Sequence, residues 1–261
     1  MFKALTIAGS DSCGGAGIQA DLKSFSANGV YGMSVITAIT AQNTMGVFGI
    51  QDINPEIIEL QINVIFDDII VDAVKIGMVS KIESIKAISE GLKKVKNLPK
   101  VVLDPVMISK SGFNLLSPDA KETLIEELFP LATLITPNLP EAEEILGMKI
   151  NNLDEMKEAA KKLQELGPKY VLVKGGHLKD DATDLLLYED EFICLPQKRI
   201  NTVHTHGTGC TLSSAIAANL AKGLDIKESV IKAKEYITGA IENGFSIGNG
   251  VGPTHHFYKF Y

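Results

Sequence analysis

Five short runs rich in Val, Ile and Leu recur along the chain: KALTIAG at 3–9, VDAVKIG at 71–77, KVVLD at 100–104, ATLIT at 132–136 and KYVLVKG at 169–175. The segments between them carry helical periodicity. Strands that stay apolar without alternating are covered on both faces, and strands separated by helices pair in parallel. The expected fold is therefore α/β, a mostly parallel central sheet with helices on both faces. A length of 261 residues suits one large domain spanning 1–261. Two further stretches read as antiparallel additions at the sheet edge. GMSVITAITAQNTMGVFGIQDI at 32–53 suggests two strands turning near Thr44 to Gly46, and TDLLLYEDEFICL at 183–195 suggests a hairpin turning at Glu189-Asp190.

Helix ends are legible in the same way. In INNLDEMKEAAKKLQELG, Leu153, Met156, Ala160, Leu163 and Leu166 share one stripe, and Asn152 and Glu155 have the spacing of a capping box. Gly167 is placed to end that helix, and Glu158 with Lys162 is spaced to pair on its wet face. Asn54-Pro55 and Ser117-Pro118 each predict a helix start, because a proline in the first turn loses no needed hydrogen bond.

A net charge of −7 without a dense basic stripe argues against a nucleic-acid partner, although a local pocket can still be positive. Cys13, Cys194 and Cys210 form neither a CxxC pair nor a disulfide framework, as expected of a reducing cytoplasm. The opening MFKALTIAGSDS is too short and polar for a signal peptide, and no apolar run approaches the about 18–20 residues of a membrane span.

Candidate chemistry clusters at the expected strand ends, where open α/β sheets hold ligands. AGSDSCGGAGIQADLKSF at 8–25 is either a tight strand-to-helix turn or a loop that approaches a ligand closely, with Asp21 reaching back from the helix. It contains neither a P-loop string nor the dinucleotide GxGxxG. Asp104 ends a buried-type strand and can serve magnesium or cap a loop. Asn138 and Glu141 open a helix three residues apart, a spacing that fits an oxygen-ligated cation as well as simple capping. Lys174 precedes two glycines, where its ammonium could meet a phosphate or merely reach solvent.

THGTGC at 205–210 opens a small-residue helix. With Gly207 and Gly209 there, the unpaired amides of the first turn form an anion hole able to take charge during phosphoryl transfer. Cys210 inside that field is expected to have a lowered pKa and to act as base or nucleophile; the alternative is a small side chain packed under the helix. A papain-like site would draw its histidine from His177, His204 or His206, and a zinc site from His204, His206 and Cys210, a spacing that matches no common site. His255 and His256 read as surface or substrate-rim residues. These features together point to a small-molecule kinase that uses ATP and Mg²⁺ without a Walker sequence.

AGSDSCGGAGIQADLK, TAQNTMGV, KIGMV, VVLDPVM, SKSG, LITPNLPEAE, KGGH, THGTGCTLSSAIAA and GVGPTHHF together resemble the hydroxymethylpyrimidine and hydroxymethylpyrimidine-phosphate kinases of thiamine biosynthesis, in the ribokinase-like superfamily. The resemblance runs essentially end to end. It implies a ribokinase-like three-layer fold with a small β extension, a homodimer, and a pyrimidine substrate phosphorylated twice by ATP. It further implies acceptor contacts at Gly9, Ala16, Asp21, Gln42, Met78 and Val106, with Asp21 and Gln42 reading the ring's amino and nitrogen edge. It places magnesium at Asp104 and Glu141, the nucleotide phosphates at Asn138, Lys174, Thr208 and Gly209, and an anion hole from Gly207 to Cys210, with Cys210 as the candidate base. One departure falls on the acceptor loop, where this chain reads DSCGG and the common family form reads DPSGG; no disulfide between Cys13 and Cys210 is expected. A pyridoxal-type kinase is the competing enzyme, and a non-catalytic metabolite sensor is the reading from another class. A fused thiamine-phosphate synthase is not expected, because the chain ends soon after GVGPTHHFYKFY.

Overall fold

The computed structural model describes residues 1–109, 112–176 and 182–261; Lys110 and Ser111 of SKSG and His177 of KGGH lie outside the described residues. The elements are, in order, β1 (Lys3–Asp11), α1 (Gly17–Ala27), β2 (Tyr31–Asn43), β3 (Gly46–Asp52), α2 (Pro55–Asp68), β4 (Ala73–Ile76), α3 (Ile82–Lys93), β5 (Lys100–Leu103), α4 (Lys121–Leu128), β6 (Leu134–Ile135), α5 (Leu139–Leu146), α6 (Leu153–Glu165), β7 (Tyr170–Val173), β8 (Asp184–Tyr188), β9 (Glu191–Leu195), α7 (Thr208–Ala221) and α8 (Ile226–Glu242). One sheet runs in the order β3-β2-β1-β4-β5-β6-β7-β8-β9. Its six middle strands are parallel. The antiparallel additions sit at opposite edges, β3 at one and β8 with β9 at the other.

Each buried strand divides its side chains between two layers. Leu5, Ile7, Val74, Ile76, Val101, Leu103, Ile135, Val171 and Val173 join residues of α2 to α6 in one core. Ala4, Ala73, Val102, Leu134 and Leu172 join α1, α7 and α8 in the other. Period-two alternation therefore fills both faces with apolar residues, which is why the strands read as continuous runs. β2 and β4 flank β1, so the chain reverses direction across the sheet there and opens a crevice beyond the strand ends.

Turn chemistry follows the sequence at β8–β9, where Glu189 and Asp190 both take positive φ, 47° and 66°, as a two-residue hairpin of matching twist demands. Asn54 caps α2 by accepting from the Glu56 amide. Two expectations are corrected. Ser117-Pro118 opens a turn, with Ala120 N donating to Ser117 O, and α4 starts only at Lys121. Asn152 does cap α6, but the Glu155 carboxylate turns to Asn151, so the box is half made.

Candidate active site

The C-terminal ends of the parallel strands carry Asp11 on β1, Gly77 after β4, Asp104 after β5 and Lys174 after β7, and the N-terminus of α7 points into the same region. Gly207 caps α7 with φ 77°, and no side chain caps that helix. A Cβ on Gly207 would lie 1.7 Å from Gly15 O, and one on Gly15 would lie 2.3 Å from the His206 ring. The two glycine loops thus pack backbone against backbone, which explains why both need glycine.

Lys174 Nζ donates to Asp104 Oδ1 at 2.8 Å, and Thr136 Oγ1 donates to the same oxygen at 3.2 Å. Position 209 borders both partners, since a Cβ on Gly209 would lie 3.2 Å from Lys174 Nζ and 3.3 Å from Asp104 Oδ2. Asn138 and Glu141 close a reciprocal capping box on α5, each side chain accepting from the other's amide at 2.9 and 2.8 Å. Capping and nearness to the other charged groups coexist here. Burial pushes the Glu141 carboxyl up to about 7, with Lys174 opposing and Asp104 adding to the rise. Burial also opposes the Lys174 ammonium, but Asp104 and Glu141 outweigh it and hold its pKa above the ordinary value. Two buried carboxylates sharing one lysine form a hard oxygen donor set that a divalent cation would relieve, so these residues fit magnesium. Thr208 turns its hydroxyl to Thr205 O at 2.8 Å.

Cys210 differs from expectation. Burial raises its thiol to about 11; Lys75 opposes that rise, whereas Asp21 and Asp104 add to it. The helix terminus and the lysine do not overcome desolvation and two carboxylates, so the resting side chain is a thiol.

Asp21 also lies elsewhere than its proposed role requires. It is completely buried, with Lys75 Nζ donating to its two oxygens at 2.9 and 2.8 Å, Thr6 Oγ1 donating at 2.6 Å and Ser214 Oγ at 2.5 Å. Its carboxylate ties α1 and α7 to the sheet instead of reading a substrate edge. His256, expected at a rim, is buried as well, with Nε2 3.0 Å from Thr211 Oγ1, and burial lowers its pKa to about 3.

Of the residues expected on the acceptor side, Gly9, Ala16, Met78 and Gln42 lie in or against the first glycine loop and the strand end before it. Gly9 packs on Met78, whose sulfur would lie 2.8 Å from an added Cβ, and Ala16 caps α1. Half-buried Val106 follows Asp104 and donates its amide to Asp104 O. Gln42 extends toward His206. Asp11 was missed as a candidate. Its oxygens accept from the amides of Cys13, Gly15 and Ala16 at 2.8, 3.0 and 2.8 Å, and Oδ2 faces His206 Nε2 at 2.9 Å. Burial works against its charge, yet the His206 bond and these amides hold the carboxyl below its ordinary pKa. The signal was available, because Asp11 ends a buried strand as Asp104 follows one. Side-chain ligand atoms of Asp11, Cys13 and His206 lie within 4.8 Å of one another, a grouping unlike the Cys210, His204 and His206 set considered from sequence. All three cysteines are free.

The phosphomethylpyrimidine kinase family model matches residues 11–255. A hydroxymethylpyrimidine/phosphomethylpyrimidine kinase from Rhizobium meliloti is 54% identical over 99% of this chain and 98% of its own. The crystal structure of a phosphomethylpyrimidine kinase from Clostridium difficile is 57% identical, covers 92% of this chain and 100% of that one, and superposes with a TM-score of 0.82. A Bacillus subtilis pyridoxal kinase solved as an ADP complex is 45% identical over 98% of this chain and 97% of its own, with a TM-score of 0.89. With a matched motif set, strand-end charges and a glycine-opened α7 all in one crevice, the chain belongs to the phosphomethylpyrimidine kinase family and is an ATP-dependent small-molecule kinase of ribokinase-like fold.

Proposed function

We propose that the protein transfers the γ-phosphoryl group of ATP to 4-amino-5-hydroxymethyl-2-methylpyrimidine and then to the resulting monophosphate, supplying the pyrophosphate for thiamine synthesis. The observation that carries this reading is the Asp104–Lys174 pair set against Gly209 at the start of α7. In the proposed site Lys174 and Asn138 hold nucleotide phosphates, while Thr208, Gly209 and Cys210 present first-turn amides to the charge that develops as the acceptor oxygen attacks phosphorus. Asp104 and Glu141 hold magnesium, which when bound neutralises phosphate charge. Gly9, Ala16, Gln42, Met78 and Val106 line the acceptor side. Asp21 acts from beneath, by fixing α1 and α7.

Positioning dominates such a mechanism, because the transition state of phosphoryl transfer is loose. Cys210, a thiol at rest, serves the first reaction through its thiolate fraction, which takes the proton that the hydroxyl must lose. A phosphate monoester needs little such help near neutral pH, its second pKa being about 6.

A pyridoxal kinase activity is the second reading, favoured by the likeness to the Bacillus subtilis pyridoxal kinase. ADP release with ATP, Mg²⁺ and each acceptor separates them. Turnover on both pyrimidines above pyridoxal is expected; turnover on pyridoxal alone would overturn the thiamine assignment.

The proposed assembly is a homodimer. Its support is the number of large apolar side chains exposed at the β3 edge of the sheet, Tyr31, Ile39, Met45 and Phe48 on β2, β3 and their turn and Ile57, Leu60 and Val64 on α2. Light scattering on the eluting protein should give twice the chain mass. No described helix is long and apolar enough to cross a membrane, and a cytoplasmic setting remains part of the proposal.

A further inference from the structure

His206 sits where two hydrogen-bond requirements conflict. Its Nε2 stands 2.9 Å from Asp11 Oδ2 and 3.4 Å from Gln42 Nε2. An ionised carboxylate only accepts, so Nε2 must carry a hydrogen. An N–H there cannot accept from an amide N–H, and the two groups would meet donor against donor. The other end of the Gln42 amide has a matching conflict. Its Oε1 lies 3.2 Å from Thr40 Oγ1, whose single proton is also claimed by Ser10 O at 3.0 Å. Half a turn of the amide resolves both ends. Oε1 then faces the His206 N–H, whose hydrogen stays chiefly with Asp11 Oδ2 at 2.9 Å, so that an acceptor and not a second donor stands 3.4 Å from Nε2. Gln42 Nε2 donates to Thr40 Oγ1, and Thr40 donates to Ser10 O.

We propose that Asp11 and His206 form a positioning pair that fixes the amide orientation of Gln42, and thereby decides which hydrogen-bonding edge of the acceptor ring the site reads. This rests on the pyrimidine reading above and supplies its specificity. Every member is held from behind. Three loop amides fix the Asp11 carboxylate. Gly15 leaves the His206 ring no room to swing toward the loop, and the His206 amide donates to Gly252 O at 3.0 Å. The Gln42 backbone is tied to Ser12 Oγ in both directions, at 2.7 and 2.9 Å.

The consequence is chemical. With one N–H given to Thr40 and its oxygen turned toward the His206 N–H, Gln42 retains one N–H and one lone pair in a fixed spatial order. A 4-aminopyrimidine presents an amino donor beside a ring-nitrogen acceptor, the complement of that pair. A turned amide would set N–H against the amino group. Pyridoxal has no such adjacent pair, so the orientation of Gln42 acts on the choice between rings and not only on overall rate.

Nitrogen-15 NMR of histidine-labelled free protein reads the pair directly, with the His206 signals assigned by their loss in His206→Gln. A protonated Nε2 is expected; an Nε2 without hydrogen overturns the proposal, whatever the enzyme turns over. The kinetic arm compares the ratio of kcat/KM for the hydroxymethylpyrimidine to that for pyridoxal. Gln at 206 keeps an amide N–H near the position of Nε2, whereas Met offers none. His206→Met should lower the ratio about tenfold and His206→Gln by less than about threefold, the cost of one mismatched buried donor. Equal changes in the two variants, or none, would overturn it. If His206→Met does not fold, Asp11→Asn takes its place with the same expected loss. Wild-type protein that phosphorylates neither ring would remove the functional reading, while the nitrogen signals would still judge the pair.

Discussion

Two buried lysine–aspartate pairs lie near the same strand ends and do different work. Lys75 and Asp21 are fully buried, and Asp21 accepts four hydrogen bonds, two from Lys75 and one each from Thr6 and Ser214. Asp104 has both its donors, Lys174 and Thr136, on Oδ1; among the described residues no hydrogen bond engages Oδ2. Burial of a charge pair is tolerable only when its remaining lone pairs and protons are satisfied. The first pair meets that condition within the protein and reads as architecture. The second leaves an oxygen facing the start of α7, which is the arrangement a ligand completes.

The contrast breaks most easily at the saturated pair. Asp21→Asn should destabilise the fold by about 3–5 kcal/mol, because Lys75 would stay charged in the core without its counter-ion. Urea unfolding measures this, and a loss under about 1 kcal/mol would show that the pair is dispensable architecture. Lys174→Met should cost less stability than Asp21→Asn, because Glu141 can hold a proton and relieve the charge left on Asp104, and should lower kcat about 10²–10³-fold, the range for loss of one preorganised electrostatic contact. A variant that unfolds like Asp21→Asn while keeping its turnover would erase the distinction.

Sequence alone separated neither pair. Both aspartates lie next to strand-end glycine or proline signals, and a carboxylate on the first helix after a glycine loop looks like a ligand. What marks Asp21 as structural is Lys75, 54 residues away, and Ser214, 193 away. No local pattern carries such contacts. The sheet was legible because its signal is local and repeated: both faces of β1, β4, β5, β6 and β7 are largely buried, so each of those runs stays apolar. Asp104, Lys174 and Glu141 were legible as candidates because strand ends locate ligands in this architecture. Asp11 obeyed the same rule and was passed over in favour of the glycines beside it. The direction of the Cys210 shift was not legible, since it depends on how completely α7 is covered and on which charges lie below it.

The less satisfied pair should also leave a pH signature. Glu141, beside Asp104 and Lys174, has a carboxyl raised from 4.5 to about 7. At low pH both folded and unfolded chains hold this proton, so the group adds no penalty. Between pH 4.5 and 7 the unfolded chain releases it first, and stability therefore falls as pH rises through that window before levelling off. The expected drop is about 1–3 kcal/mol. Comparing urea midpoints at pH 5 and pH 8 checks it: Glu141→Gln should flatten the slope, and Mg²⁺ with nucleotide should reduce it in the wild type. An unchanged slope in Glu141→Gln would assign the effect to other groups.

The smallest expected effect concerns Cys210, which stands between the two pairs and feels both. Lys75 favours its thiolate, Asp21 and Asp104 disfavour it, and burial leaves the thiol near 11. Alkylation of Cys210 by iodoacetamide, followed by peptide mass analysis, should accelerate from pH 8 toward pH 11; a plateau by pH 8 would mean that the Lys75 charge prevails after all. Only the small thiolate fraction of Cys210 can take up a proton, and it helps only an acceptor whose own proton must leave in the transition state. The free alcohol is such an acceptor, and the monophosphate, already ionised near neutral pH, is not. Cys210→Ala should therefore lower kcat/KM for the alcohol more than for the monophosphate. The gap should be modest, about threefold to tenfold, because little proton removal is needed in a loose phosphoryl transition state. Equal fractional losses on the two substrates would reduce Cys210 to a spacer at the start of α7, and would leave the helix amides and the Asp104–Lys174 pair to account for the chemistry between them.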